Sequence, residues 1–198
     1  ALLAVGDAEL ALPTFRACVR LSEAEPSVDL LYHLGLASFE TCDLADALVH
    51  FREVTRREPD HADAHFTLGM LHELRGSDGD AARATASFEA ARALDPELYP
   101  APMVLEPSVL ITALKEAVGQ LPSSLALVLS DVPITLAEWP DLHELRTSNP
   151  PLPPTVVALL DGDPGQDPER VDPPTGLRVF TATLSRYPTF DDAVRALV

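Results

Sequence analysis

The feature that most constrains this 198-residue chain is an internal repetition in its first half. The repeated positions are Leu34, Gly35, Ala47, Phe51 and Pro59, which recur as Leu68, Gly69, Ala84, Phe88 and Pro96. The separation is 34 residues for the Leu-Gly pair and 37 for the later positions, which places a three-residue insertion in the polar turn between them. A repeated unit of this length cannot bury its apolar face alone, so neighbouring units must stack.

Each repeated residue has a physical role in a helix pair. Glycine lets the paired helix approach where a β-carbon would collide, the aromatic ring fills the gap between helices, and proline ends the second helix. An earlier, incomplete copy is also present, because Gly6, Ala11, Phe15 and Cys18 have the spacing of Cys42, Ala47, Phe51 and Val54. The chain therefore begins inside a repeat, and we expect its natural reading frame to extend upstream.

The repeat length and residue pattern resemble the tetratricopeptide repeat. This resemblance implies a solenoid of helical hairpins over residues 1–98, with a partial repeat at 1–26 and full repeats at 28–61 and 62–98. A third full repeat is not expected, because prolines at 100 and 102 fall where its first helix would lie.

In tetratricopeptide arrays the first helix of each pair lines a groove that binds proteins or peptides. The positions that the resemblance assigns to this surface are Asp29, Tyr32, Leu36, Phe39, Glu40, Asp63, Phe66, Met70 and Glu73. Apolar and acidic side chains dominate, so the expected partner is a basic or apolar protein segment. We predict an exposed aromatic surface formed by Tyr32, Phe39 and Phe66. The alternative is that several of these side chains pack against a neighbouring helix or a second domain.

Charge and composition limit the other partners. The net charge is −17 and the isoelectric point is near 4.5, so the phosphates of nucleic acids and of anionic membranes would be repelled. No charged leader or long apolar run is present at the start, which favours a cytoplasmic protein. Cys18 and Cys42 occupy repeat positions that take small buried residues, so both are expected to be reduced thiols in the core.

A proline-rich connector at 99–107 is expected to separate the repeats from an α+β region at 108–198. Thus the predicted fold is mainly α with an α+β C-terminal part. Apolar spacing predicts helices at 108–118, 122–129, 139–146 and from 190 onward, strands at 132–137, 155–160 and 176–184, and a long loop at 161–175.

The order of these segments resembles the bacterial minimal zincin-like metallopeptidases, which also occur beside tetratricopeptide repeats. The matching segments are Leu121-Pro122, Val132–Pro140, Val157–Pro164 and Arg178-Val179-Phe180. The resemblance implies a small zincin-like domain whose last helix leads into a His-Glu-x-x-His motif. Catalysis in such enzymes needs both histidines as zinc ligands and the glutamate as general base.

That motif is absent from this sequence, so we assign no catalytic and no metal-binding residue. His72-Glu73 and His143-Glu144 are half-matches without a second histidine, and the pair His61 and His65 is interpreted as structural. No cofactor is expected in this chain, and zinc only if the motif follows Val198, where the final helix lacks a stop signal. Two functions stay open: an interaction scaffold with an inert metallopeptidase-like domain, or a zinc-dependent endopeptidase whose catalytic helix lies beyond Val198.

Overall fold

Two compact units make up the chain, and the computed structural model describes residues 8–21, 25–148, 152–162 and 174–197. The first unit comprises Ala1–Pro100 and Asp141–Pro154, and the second comprises Ala101–Pro140 and Thr155–Val198. None of the helices in the described ranges is long and apolar enough to cross a membrane.

Helices dominate the first unit, and the second combines helices with a small sheet. The helices are α1 (Ala8–Leu21), α2 (Val28–Glu40), α3 (Leu44–Arg57), α4 (Ala62–Arg75), α5 (Asp80–Leu94), α6 (Pro107–Gly119), α7 (Ser123–Leu129), α8 (Leu142–Thr147), α9 (Thr181–Leu184) and α10 (Phe190–Arg195). The strands are β1 (Ile134–Ala137), β2 (Ala158–Asp161) and β3 (Gly176–Phe180). Helix α8 lies in the second stretch of the first unit.

Local sequence signals set where the repeat helices begin and end. The Ser27 hydroxyl accepts a hydrogen bond from the Leu30 N–H at 3.2 Å and starts α2, and the Asp43 carboxylate does the same for α3 through the Asp46 N–H at 3.4 Å. Gly76 ends α4 in the left-handed conformation with φ of 58°. Side-chain oxygens thus satisfy N–H groups that have no partner within the helix.

The two glycines of the repeat sit where the expected close approach occurs. A β-carbon on Gly35 would lie 3.0 Å from the ring of Phe51, and one on Gly69 would lie 2.5 Å from the ring of Phe88. Phe51 is fully buried, so its ring has no room to withdraw from an added methyl group. In each full repeat, the two helices therefore pack closely because a phenylalanine ring of the second helix lies against a glycine of the first.

The partial repeat contributes its second helix, α1, to the same stack. Leu12 forms a buried cluster with Leu34 of α2, and Phe15 and Val19 pack at its edge. Cys18 lies beside this stripe of α1 and its thiol is exposed, so the prediction that it belongs to the core is wrong.

The second unit is organised around a three-stranded sheet of order β1-β3-β2. Strand β3 runs parallel to β1 and antiparallel to β2, with Leu136 and Ala158 both paired to Val179. The core under this sheet combines side chains of α6, β3, α9 and α10, namely Leu110, Leu114, Val179, Leu184 and Ala193.

Strand β3 is shorter than the sequence suggests. The alternating pattern predicts a strand over 176–184, but the strand ends at Phe180 and Thr181–Leu184 is helical. Strand β1 ends at Ala137, opposite Phe180, so no partner strand continues the ladder. The Thr181 hydroxyl instead donates to the Ala137 carbonyl at 3.2 Å. Residues 163–173 of the predicted loop lie outside the described residues.

The segment Asp141–Pro154, which the sequence places in the C-terminal region, groups with the repeats. Helix α8 begins because the Asp141 carboxylate accepts hydrogen bonds from the first N–H groups, at 2.8 Å and 3.0 Å. Leu145 of this helix is fully buried, and its carbonyl accepts from the Leu152 N–H at 3.0 Å. The Leu152 carbonyl in turn accepts from the thiol of Cys42 at 3.6 Å. Cys42, in the turn between α2 and α3, is buried as expected.

Candidate functional site

The nine predicted partner residues differ widely in exposure. Asp29 is exposed, whereas Tyr32, Leu36, Glu40, Asp63, Phe66 and Glu73 are partly buried. Phe39 is only 2% exposed and Met70 only 9% exposed, so neither can form an open binding surface. The predicted exposed aromatic surface of Tyr32, Phe39 and Phe66 is therefore wrong in its inclusion of Phe39.

The physical reason is that neighbouring parts of the fold enclose most of α2 from Leu34 to Phe39 and all of α4 from Thr67 to His72. Each residue from Thr67 to His72 is buried, and such a run covers more than one full helical turn. In α2 the residues from Leu34 to Phe39 are buried with the exception of Leu36. A single open stripe would leave an exposed residue every three or four positions. Most of the accessible surface consequently lies in the N-terminal halves of these helices, and the predicted residues Leu36, Glu40 and Glu73 are partly buried positions in the C-terminal halves.

Asp63 is the centre of this accessible part. The Tyr32 hydroxyl donates a hydrogen bond to Asp63 Oδ2 at 3.4 Å, and the Tyr99 hydroxyl donates to Asp63 Oδ1. Tyr32 lies on α2, Asp63 in the first turn of α4, and Tyr99 in the turn after α5. One carboxylate thus joins residues from three successive parts of the repeat array.

Aromatic rings surround the same carboxylate in two stacked pairs. Tyr32 stacks on His61 and Phe66 stacks on Tyr99, with ring centroids 4.6 Å apart in both pairs. The interplanar angles are 35° and 30°, which corresponds to tilted stacking. The Nδ1 atom of His61 accepts from the Ala64 N–H at 3.4 Å and so orients this ring at the start of α4. We call Tyr32, His61, Asp63, Phe66 and Tyr99 the Asp63 cluster.

Two members of the Asp63 cluster were absent from the predicted set. Tyr99 belongs to the expected connector. Its N–H donates a hydrogen bond to the Asp95 carbonyl at 3.0 Å, and the turn formed in this way places the Tyr99 side chain next to α4. The turn has a sequence signal, since the Asp95 carboxylate accepts from the Leu98 N–H at 2.9 Å. His61 was assigned a structural role, and it does cap α4 while also stacking on Tyr32.

The electrostatics of the cluster keep both tyrosines neutral. Burial, followed by the charge and hydrogen bond of Asp63, raises the pKa of Tyr32 to about 12. Burial and the hydrogen bond to Asp63 also raise the pKa of Tyr99 far above its ordinary value. Both hydroxyls are therefore hydrogen-bond donors at neutral pH, and they leave the negative charge of Asp63 uncancelled.

Three carboxylates of this surface have no basic side chain paired with them within the described residues. Asp29, Glu40 and Asp63 have no ion pair there. Burial raises the pKa of Glu40, as expected for a carboxylate that is desolvated without a cation beside it. At Asp29, Glu40 and Asp63 the first-helix surface accordingly carries negative charge that no ion pair among the described residues neutralises.

A second polar cluster, at the turn between α4 and α5, has a structural role. His72 is 4% exposed, and its Nδ1 atom lies 3.1 Å from Oδ1 of the buried Asp80. Arg75 contacts both oxygens of Asp80 at 2.6 Å and 2.5 Å, and Arg83 and the Ser77 N–H each approach within 3.1 Å. The Arg75 guanidinium, more than any other neighbour, holds the pKa of Asp80 well below its usual range. Burial lowers the pKa of His72, which favours a neutral imidazole.

The remaining histidines do not assemble into a metal site. His65 Nε2 lies 2.9 Å from the Pro59 carbonyl, and His61 Nδ1 is used at the start of α4. Within the described ranges, no three His, Cys, Asp or Glu side chains come together as a metal centre requires. The absence of catalytic and metal-binding residues and of a cofactor stays a prediction.

Comparison with known families supports the repeat assignment. Residues 42–99 match the family model of the tetratricopeptide repeat, which spans α3, α4 and α5. This match confirms the tetratricopeptide prediction for that stretch. No curated protein matches the chain. The zincin-like resemblance of residues 108–198 stays a prediction.

Proposed function

We propose that the first unit is a protein–protein interaction scaffold and that it binds a basic, partly apolar segment of its partner at the Asp63 cluster. Tetratricopeptide repeats generally mediate protein–protein interactions, and residues 42–99 match that family. The observation that carries the proposal is the carboxylate of Asp63, held by two tyrosine hydroxyls, without a basic partner in the described residues. It is flanked by the stacked rings of Phe66 and Tyr99.

This arrangement suits an arginine or lysine side chain of the partner. A cation next to Asp63 gains a charge-assisted hydrogen bond, and the adjacent ring faces add a cation–π attraction of about 0.5–2 kcal/mol. The carboxylates of Asp29 and Glu40 extend the negative surface along α2. Leu36, partly buried on the same helix, offers an apolar contact beside them.

The proposal is tested with an array of synthetic peptides that vary in net charge and apolar content. The wild-type chain should bind basic peptides that contain apolar residues and should not bind acidic peptides of the same apolar content. Asp63→Asn keeps the size and one hydrogen-bond acceptor of the side chain while removing the charge, so binding of the best basic peptide should weaken about tenfold. Phe66→Ala should cost about 2 kcal/mol of binding free energy, as truncation of an aromatic anchor does.

A control variant separates binding from folding. Val49→Ser alters an apolar side chain that is 63% exposed on α3, a second helix of the repeat, and should leave peptide binding unchanged. Circular dichroism and thermal unfolding establish that each variant is folded before binding is compared. Equal retention of acidic and basic peptides, or full binding by Asp63→Asn, would contradict the assignment of a basic partner.

A further inference from the structure

The second unit contains a cavity of about 220 Å³ between α6, α7 and the start of β1. Lys115, Val118 and Gly119 line it from α6, and their spacing of three and four residues puts them on one helical face. Ala126 and Leu129 line it from α7, and Ser130 lines it from the position directly after this helix, with the same spacing. The residues from β1 and its approach are apolar, so the lining side chains are apolar apart from Lys115 and Ser130.

The cavity exists because α7 does not close onto α6. Five consecutive apolar residues, Leu125 to Leu129, make up most of α7, yet none of its residues is buried. Leu127 is 79% exposed on the side that does not line the cavity. Gly119 adds to the open space, because a β-carbon built there would meet no atom within 4 Å.

Lys115 gives the cavity a specific chemical character. It is the only lysine in the sequence, its side chain is exposed, and it forms none of the ion pairs found among the described residues. The Ser130 hydroxyl donates weakly to the Leu127 carbonyl at 3.3 Å and retains its capacity as an acceptor. A positive charge at the wall of an apolar cavity selects a ligand with a negatively charged end and an apolar body.

We propose that this cavity binds a small apolar carboxylate, with the carboxylate paired to Lys115 and the apolar part between α6 and α7. An enclosed apolar cavity of about 150 Å³ is large enough to bind benzene, so this cavity, which is open to solvent at Lys115, Gly119 and Ser130, has room for an apolar body of roughly eight carbons. Cations are disfavoured by the ammonium, and a neutral molecule of the same shape lacks the ion pair. The site is independent of the repeat surface.

The single lysine permits a direct test with octanoate as the probe and 1-octanol as its neutral counterpart. Reductive methylation with ¹³C-formaldehyde labels Lys115 and the N-terminal amine of the full chain, which resonate apart. Octanoate should shift the Lys115 signal saturably, with an affinity at least tenfold higher than that of 1-octanol. Equal affinities for both probes, or no saturable shift with octanoate, would overturn the proposal.

Substitutions distinguish the ion pair from the cavity itself, with binding measured by calorimetry on unlabelled protein. Lys115→Gln should weaken octanoate about tenfold and leave 1-octanol unchanged, whereas Lys115→Arg should retain octanoate. Gly119→Leu fills open space, so it should fold normally and abolish binding of both probes. Leu127→Ser, on the opposite side of α7, is the matched control and should bind as wild type. Normal binding by Gly119→Leu, or equal losses in Gly119→Leu and Leu127→Ser, would place the ligand elsewhere.

Discussion

Asp63 and Asp80 occupy the first turns of α4 and α5, and their neighbours give them different roles. Asp80 is fully buried and receives Arg75, Arg83 and His72, so its charge is neutralised inside the fold. Among the described residues, the side-chain partners of Asp63 are the neutral hydroxyls of Tyr32 and Tyr99. Acidic residues near helix N-termini favour the helix in both cases. Only Asp63 keeps a charge that a partner can use.

We expect Asp80→Asn to destabilise the chain more than any exposed acidic substitution in the same turn. The change removes the charge that Arg75 and Arg83 face and leaves a weaker partner for His72. Asp78→Asn, two residues earlier and exposed, is the control and should leave the urea midpoint within error at pH 7. The pKa of Asp80 is depressed in the folded chain, so its stabilising effect is present above the unfolded pKa of about 4 and is lost as pH falls below it. The two variants should therefore converge in acid.

Glu40→Gln should stabilise the folded chain at pH 7, whereas Asp80→Asn should destabilise it. Burial raises the pKa of Glu40, so ionisation of this carboxyl is less favourable in the folded than in the unfolded chain. Its contribution to stability is fully present below the unfolded pKa of about 4.3 and is lost as pH rises through the folded pKa. The variant should have a higher urea midpoint than wild type at pH 7 and the same midpoint near pH 4. A lower midpoint at pH 7 would indicate a hydrogen bond of the carboxylate that stabilises the fold.

At the scale of the helices, three glycines near or within helices differ in what surrounds them. Gly69 faces the ring of Phe88 at the shortest distance, Gly35 faces Phe51 at a longer one, and Gly119 faces open space. The first two are required by helix–helix contact, whereas the third is not. The same residue type thus marks a packing constraint in the repeats and a cavity in the second unit.

Alanine substitutions at the three glycines should differ in their effect on the free energy of unfolding. Gly69→Ala should cost about 3 kcal/mol and Gly35→Ala about 1 kcal/mol of unfolding free energy, because overpacking of a tight contact costs roughly 1–3 kcal/mol. Gly119→Ala should be neutral or stabilise by about 0.5 kcal/mol, because alanine loses less backbone entropy in a helix. Urea unfolding of the three variants gives the order directly. A cost at Gly119 as large as that at Gly69 would show that the cavity is closed in solution.

At the scale of the whole molecule, the two units are not continuous in sequence. Asp141–Pro154 belongs to the first unit, although it lies within the stretch of sequence that forms the second. Leu145 is fully buried in this segment, and the Leu152 carbonyl accepts from the thiol of Cys42. Burial raises the pKa of Cys42 to about 11, so its thiolate is scarce at neutral pH. Cys18, by contrast, is exposed.

Thiol labelling should report on this segment. A disulfide-exchange reagent at pH 8 should modify Cys18 rapidly and Cys42 only after unfolding in urea, because the thiolate is the reactive form. Leu145→Ala should lower the unfolding free energy by about 3 kcal/mol, as truncation of a buried leucine does, and should accelerate labelling of Cys42. His143→Ala, exposed on the same helix, is the control for both measurements. Unchanged labelling in Leu145→Ala would show that Cys42 is protected without this segment.

Much of the secondary structure follows from sequence pattern alone. The repeated glycines and aromatics predict the helix pairs, and residues such as Ser27 and Asp43 start helices through hydrogen bonds within a few residues. Sequence pattern alone does not predict which residues of the candidate binding surface are exposed. Phe39 and Met70 are assigned to an open surface by analogy with the repeat, but burial depends on every element that surrounds a helix, and the sequence of that helix does not contain this information.

By itself the sequence determined where the repeat helices form, because capping, glycine spacing and apolar periodicity act over a few residues. It also determined the acidic character of the first-helix surface, since charge is a property of composition. The tertiary structure alone decided that Tyr99 completes the Asp63 cluster, that Leu145 is buried in the first unit and that a cavity opens beside Lys115. Each of these depends on contacts between residues that are far apart in the chain. Such contacts are determined by how the helices and strands pack together, and no local sequence pattern encodes them.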